Sequence, residues 1–402
     1  MRQLQYMHNC RRQVKPIALV LPQFHPIPEN DQWWGKGFTE WTNVVKGKPR
    51  FRGHYQPHLP KDLGYYDLRL PEIREAQAEL ARQYGIFGFC YYHYWFNGRR
   101  VLERPVDDML TLGKPDFPFM LCWANENWSR NWDGGFNDIL LQQSYSIEDF
   151  VAHARHLVKY FRDPRYIRIN GKVVFAIYKD LGIDNIEESL TAFREELKQH
   201  GIEVFLCRFE CWIGTLDNFE QAFSLFDAGI EFQPLTRQFK KMASRTMGQN
   251  CARYMNPMNY LRWMGRRLNL KARASDRVFQ YKDVVENDLS FDFQQGKPIF
   301  PGVCPGWDNS ARRMDGGALI LDESTPEIFE YWVKKKIAKT NWDLLPEQFL
   351  FVNAWNEWAE GNHLEPCERW GTQYLSALSN ALLTGTPDDC SDSAGPVTVV
   401  GR

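Results

Sequence analysis

Short runs of apolar residues, bounded by turn residues and separated by amphipathic stretches, recur along the chain. Eight of them have strand length: Ile17–Leu21, Phe87–Tyr94, Phe119–Trp123, Val173–Tyr178, Val204–Phe209, Phe226–Phe232, Phe300–Cys304 and Phe349–Ala354. Several are apolar at consecutive positions, the pattern of parallel strands covered on both faces by helices. Between them Leu70–Tyr84, Ile147–Phe161, Ile186–His200 and Thr325–Ala338 repeat their apolar positions with helical period. Strand followed by helix, repeated in this way, predicts an α/β chain of the (β/α)₈ TIM-barrel class. A doubly wound sheet is the alternative, but no glycine-rich first turn accompanies it.

Two stretches fall outside the plain barrel. Arg237–Lys282, between the sixth and seventh strands, holds a dozen Lys and Arg and almost no acid. It reads as a helical basic insertion, either a solvated flap or a peripheral contact with a membrane, a protein or a phosphate. The end of the chain is polar and rich in Gly, Pro and Ser, so residues 386–402 read as a disordered tail. The barrel is expected to span 15–385, after an N-terminal extension of residues 1–14.

Composition narrows the function. A net charge of −1 offers no global field for nucleic acid or acidic lipid. Nine scattered Cys without a CxxC pair, and a start without a signal peptide or membrane span, point to a cytoplasmic chain. Aromatic residues make up 15% of the chain, with 15 Trp, which suits either a large aromatic core or a site that stacks on sugar rings.

Barrel enzymes carry their chemistry just past the C-terminal ends of the strands. There the chain places His25; Tyr92, His93 and Trp95; Trp123, Asn125, Glu126 and Trp128; Glu210; Trp307, Asp308, Arg312 and Arg313; then Asn353, Trp355, Asn356 and Trp358. Among the last group stand Glu357 and Glu360, three positions apart. One helical turn would bring their side chains to about 5–6 Å, near the carboxyl spacing of retaining glycosidases. Two such charges cannot both ionise freely, so one can hold a proton near neutrality. The pair is therefore either a catalytic dyad or one face of a surface helix, and the flanking tryptophans favour the dyad. Glu126 either binds sugar hydroxyls or pairs with Arg130, and Asp308 with Arg312 and Arg313 forms either a salt-bridged rim or an anion clamp. His153 and His156 lie on a predicted helix and are expected to be solvated. Without a P-loop, GxGxxG, GxSxG, HExxH or Asp-x-Asp motif, no metal or cofactor is expected.

The runs LPQFHPIPENDQWWGKGFTEWTNV, GHYQPHLPKDLGYYDLR, YGIFGFCYYHYWFNGRRVLE, LCWANENWSRNWDG, PGWDNSARR and NAWNEWAEGNHLEP resemble the WbsX family of bacterial surface-polysaccharide loci. The likeness covers roughly residues 15–385. That family is labelled glycosyltransferase and is similar to glycoside hydrolase family 99, the endo-α-mannosidases and endo-α-mannanases, which are (β/α)₈ barrels. Where family 99 reads Asn-Glu-Trp-His-Glu-Gly, this chain reads NEWAEG, with Ala359 in place of the His. The resemblance implies that Glu357 is the base that deprotonates the sugar 2-hydroxyl and that Glu360 protonates the leaving oxygen. The reaction would then pass through an anhydro-sugar. The implied substrate is an oligosaccharide or lipid-linked glycan, α-linked, in O-antigen or capsule assembly. A metal-independent glycosyltransferase with an activated donor, and a non-catalytic glycan-binding protein, are the other two expectations.

Overall fold

The computed structural model describes residues 13–130, 135–180, 182–210, 223–235, 239, 242, 275–314 and 316–384. Eight parallel strands form its centre. They are β1 (Lys15–Val20), β2 (Gly88–Phe96), β3 (Phe119–Trp123), β4 (Lys172–Ile177), β5 (Val204–Phe209), β6 (Ala228–Ile230), β7 (Ile299–Phe300 and Gly302–Val303) and β8 (Phe349–Val352). Each lies within one of the apolar runs or overlaps it by all but a residue or two. Nearly every strand residue is buried, as the unbroken apolar runs require of a sheet covered on both sides.

Strand order around the sheet is β6-β5-β4-β3-β2-β1-β8, and β7 joins the two ends. Its first half pairs with β6, Ile230 opposite Phe300, and its second half pairs with β8, Val303 opposite Val352. Pro301, between the halves, has no amide hydrogen to donate but accepts from Phe351 N through its carbonyl. Gly302 is required there because a Cβ would collide with the Glu231 carbonyl. The chain is thus a closed (β/α)₈ barrel.

Helices follow the strands: α1 (Pro71–Gln83), α2 (Arg104–Leu112), α3 (Ile147–Phe161), α4 (Ile186–Gln199), α5 (Tyr281–Leu289), α6 (Pro326–Lys339) and α7 (Gln373–Thr384). The segment after β5, residues 211–222, lies outside the described residues. Helix starts carry recognisable caps. Ser146 accepts from Asp149 N and Thr325 from Ile328 N, each satisfying an orphan donor of the first turn. Proline stands in the first turn of α1, α2 and α6.

Most of the insertion expected at Arg237–Lys282 lies outside the described residues, as do residues 1–12 and the expected tail at 386–402. Of the insertion's described residues, Arg277–Gln280 form a strand that pairs in parallel with Leu319–Asp322, and Tyr281 and Lys282 begin α5. Between β1 and α1 two short helices, Pro28–Trp34 and Glu40–Val44, fold over the C-terminal rim of the barrel. Among the described residues no helix is long and apolar enough to cross a membrane.

Candidate active site

Beyond β8 the chain makes a miniature hairpin. Asn356–Glu357 pairs antiparallel with Asn362–His363, and the tight 3₁₀ turn Trp358–Glu360 connects them. Gly361 closes the turn at φ +57°, the left-handed region that favours glycine. The expected helical turn is therefore replaced by a 3₁₀ turn, which still directs both carboxylates to one side. Asn356 anchors the hairpin to β1: its Oδ1 accepts from Leu21 N (2.7 Å) and its Nδ2 donates to Leu21 O (3.1 Å).

Glu357 and Glu360 both line a cleft of about 480 Å³ at the C-terminal rim. Arg312, from the loop after β7, lies between them. Its Nη2 is 2.8 Å from Glu357 and its Nη1 2.7 Å from Glu360. A third carboxylate, Glu40, meets the same guanidinium at 2.6 Å and also accepts from its Nε at 2.7 Å. These side chains retain at most 18% of their exposure, so their charges act with little solvent screening. Burial pushes the Glu357 carboxyl up to about 8; the charges of Glu360 and Glu40 add to this and Arg312 opposes it. Glu360 is raised as well, by burial first, with Arg312 opposing and Glu40 adding. Burial pulls on Arg312 in the other direction, but the carboxylates of Glu40, Glu360 and Glu357 outweigh it and hold the guanidinium charged. Three carboxylates around one guanidinium favour retention of a proton by the glutamate pair, which titrates as a unit.

The cleft walls are aromatic and amide: Trp34, Tyr92, Tyr94, Trp128, Tyr178, Phe232 and Trp307, with Glu126, Asn127, Asn309, Arg313 and Asn353. Of the residues expected at the site, Tyr92, Glu126, Trp128, Trp307, Arg312, Arg313, Asn353, Glu357 and Glu360 come together here. Glu126 is partly exposed and pairs with Lys179 at 3.1 Å. Asn353 is fixed by donating to the Gln233 carbonyl.

Ten expected residues do not line the cleft, and each is committed elsewhere. His93 and Trp95 point outward from β2 to α3. The His93 and His153 ring nitrogens are 2.9 Å apart, and Trp95 stacks on His153 while donating to Asp149. Trp123 leaves β3 on the same outer side and donates to the Trp95 carbonyl. His153 is consequently buried, not solvated, and burial drives it well below the ordinary histidine range. Asn125 clamps the backbone of Lys179, tying the end of β3 to that of β4. His25 holds the Pro22 carbonyl and is pulled down to about 4 by burial. Glu210 pairs with Arg208 at 2.9 Å. Asp308 is spent on His54 (2.7 Å), Gln56 and Ser310 N, so it forms no rim with Arg312. Trp355 is fully buried against Phe89, Asn356 is the hairpin anchor, and Trp358 stacks on His363 while donating to Glu365.

The expected set lacked Gln23, Trp34, Glu40, Tyr94, Asn127, Tyr178, Phe232 and Asn309, although Gln23, Tyr94, Asn127 and Asn309 fall in the strand-end runs of the sequence. Tyr94 has a signal, because it shares the parity of Tyr92 along one strand. Glu40 has none: it lies 272 positions from Arg312 and only the fold joins them.

The model of the family described as "Glycosyltransferase WbsX" matches residues 16–378. The chain belongs to the WbsX family. Two WxcX proteins of Xanthomonas campestris pv. campestris, strains B100 and ATCC 33913, are 36% and 37% identical over 388 residues. The match takes in 96% of this WbsX-family chain and 52% of each relative, so the chain spans about half the length of the curated relatives it matches. Among solved structures, the GH99 endo-α-mannosidase from Bacteroides thetaiotaomicron superposes with TM-score 0.55 at 14% identity, covering 92% of this chain and 97% of the other. A glycoside hydrolase-like protein gives TM-score 0.55 at 13% identity, covering 92% and 94%. At these identities the likeness is one of fold.

Proposed function

We propose that the chain is a carbohydrate-active enzyme that cleaves or transfers α-linked glycosyl units with retention, using Glu357 and Glu360 as acid and base. The observation that carries this reading is the pair of desolvated carboxylates, bridged by Arg312, on the wall of an aromatic cleft at the barrel's catalytic rim. Membership of the WbsX family and the barrel likeness to a GH99 endo-α-mannosidase support it.

In this reading Glu357 takes the proton of the sugar 2-hydroxyl, and the 2-oxygen displaces the leaving group from the anomeric carbon. Glu360 gives its proton to the departing oxygen. Glu360 then takes a proton from the acceptor, which opens the anhydro-sugar at the anomeric carbon while Glu357 returns its proton to the 2-oxygen. The first step needs Glu357 ionised, whereas burial favours its protonated form. A substrate hydroxyl donating to Glu357 stabilises the anion and leaves the single proton with Glu360. A water acceptor gives hydrolysis and a sugar hydroxyl gives transfer. We place the reaction in bacterial surface-polysaccharide assembly, on an oligosaccharide or lipid-linked glycan.

Turnover of α-linked oligosaccharides tests the proposal. Glu357→Gln and Glu360→Gln should each lower kcat by about 10²–10⁴-fold, the usual share of general acid–base catalysis. Wild-type turnover by either variant would sink it. Glycan affinity equal in wild type and both variants, with no turnover in any, would identify a binding protein instead. The family's own description favours a second reading, transfer from an activated sugar donor whose phosphate meets Arg313 at the cleft. Calorimetric binding of a nucleotide-sugar, lost in Arg313→Ala, would select it.

A further inference from the structure

Glu40 belongs to no part of the proposed proton transfer, yet its side chain is fully buried beside the two carboxylates that do. A buried charge distant from chemistry is usually explained by one partner. Here the partner is the guanidinium that also holds Glu357 and Glu360. Glu40 occupies the Nε–Nη2 edge of Arg312, which leaves Nη1 for Glu360 and the remaining Nη2 hydrogen for Glu357. One carboxylate oxygen bridging Nε and Nη2 restrains the planar guanidinium, which aims its outer nitrogens at the pair.

The backbone beneath Glu40 is itself constrained. Thr39 and Thr42 form a capping box at the start of Glu40–Val44, and Glu40 N donates to the Gln23 carbonyl. The next residue, Trp41, packs against Trp358 at 5.5 Å between ring centres. Trp358 opens the turn that carries Glu360. The short helix and the catalytic turn therefore form one packed unit with Arg312 across its charged end. We propose that Glu40 is a positioning residue that orients Arg312 and, through it, sets the spacing and shared proton of the Glu357–Glu360 pair. This rests on the function proposed above.

Among the described residues the groups facing the pair are Arg312, Arg313, Glu40, Tyr92 and Tyr94. Of these Glu40 is the third carboxylate, and its charge raises both members of the pair. Glu40→Gln keeps the shape and removes the charge. Both members then titrate at lower pH, so both limbs of the pH–kcat profile should move acid by about one unit. With the guanidinium less firmly aimed, kcat should fall about 10–100-fold while KM stays within about twofold. Glu40→Asp, which keeps the charge on a shorter arm, should leave the limbs in place and lower kcat about tenfold. An unmoved pH profile with unchanged kcat in Glu40→Gln overturns the proposal. Should that variant fail to fold, unchanged kcat in Glu40→Asp does the same. A ¹³C NMR titration of glutamate-labelled protein separates this idea from the catalytic one. If Glu357→Gln keeps full turnover but Glu40→Gln still lowers the midpoint of the pair, the function fails and the positioning role stands; an unaltered midpoint removes the positioning role by itself.

Discussion

Along Gly88–Phe96 consecutive side chains serve opposite sides of the barrel wall. Tyr92 and Tyr94 face the cleft, whereas His93 and Trp95 face α3. Period-two alternation requires this split, and every residue of the strand is buried, so neither side is marked by polarity. Neighbours one position apart should thus give opposite phenotypes. Tyr94→Ala should raise KM for an oligosaccharide about tenfold, roughly 1.4 kcal/mol of binding. His93→Ala should lower unfolding free energy by about 1–3 kcal/mol and leave KM within twofold, because it strips the buried His153 nitrogen of its partner. Steady-state kinetics and urea unfolding of the two variants check the pair, and a reversal of the pattern would contradict the facing assigned here. The aromatic run was legible as a strand end near a site. Which half of it meets the ligand was not, since a pattern buried on both faces offers two equivalent phases.

At the scale of elements, α6 shows what a local pattern conceals. Lys334, Lys335 and Lys336 are adjacent, but helical steps send Lys334 to Glu330 and Lys336 inward to Glu231 and Asp288. Lys336 is 1% exposed there, and Gln233 donates to both acids. Lys336→Met removes the cation that pairs with two buried carboxylates and should destabilise the protein by about 3–5 kcal/mol in urea unfolding. A cost below 1 kcal/mol would mean that water reaches those acids. The start of α6 was legible from Thr325 and Pro326. Of the three barrel helices that escaped the periodicity, α2 and α5 have nine residues each, too few turns for an apolar stripe to repeat, whereas α7 has twelve. The turn Trp358–Glu360 misled for a related reason: spacing of three suits a 3₁₀ turn as well as an α-turn, and Gly361 selects the shorter one.

Across the molecule, buried titrating groups oppose one another. Burial pulls His25 and His58 down to about 4 and His93 to about 3, and takes His153 and His363 well below the ordinary value. These folded-state values are depressed, so their contribution is complete above pH 6.5 and is lost as pH falls below it and the unfolded chain takes up protons. Burial also raises Glu231 and Glu365 to about 7 and Glu357 to about 8. Raised carboxyls act the other way: their contribution is present below about 4.5 and is lost as pH climbs toward 7–8. Histidines outnumber carboxyls on the acid side, and only carboxyls act on the alkaline side. Unfolding free energy should therefore peak near pH 6.5 and decline in both directions, by about 1.4 kcal/mol per net proton for each pH unit. Urea midpoints from pH 5 to 8 measure this, and a maximum above pH 8 would refute it. The barrel class was legible because eight apolar runs alternate with helices. How the ring closes was not, because a proline within a strand run argues locally against pairing.

That closure has a consequence for how the molecule meets its own copies. Open sheets end in rows of idle amides and carbonyls that invite a foreign strand. Here Pro301 passes the chain from one neighbour to the other, so the backbone that leaves Ile230 unserved at one step is answered by Phe300, and Val352 is answered by Val303 three residues later. A four-residue stitch leaves the central sheet without a border, and crowding has nothing there to zip onto.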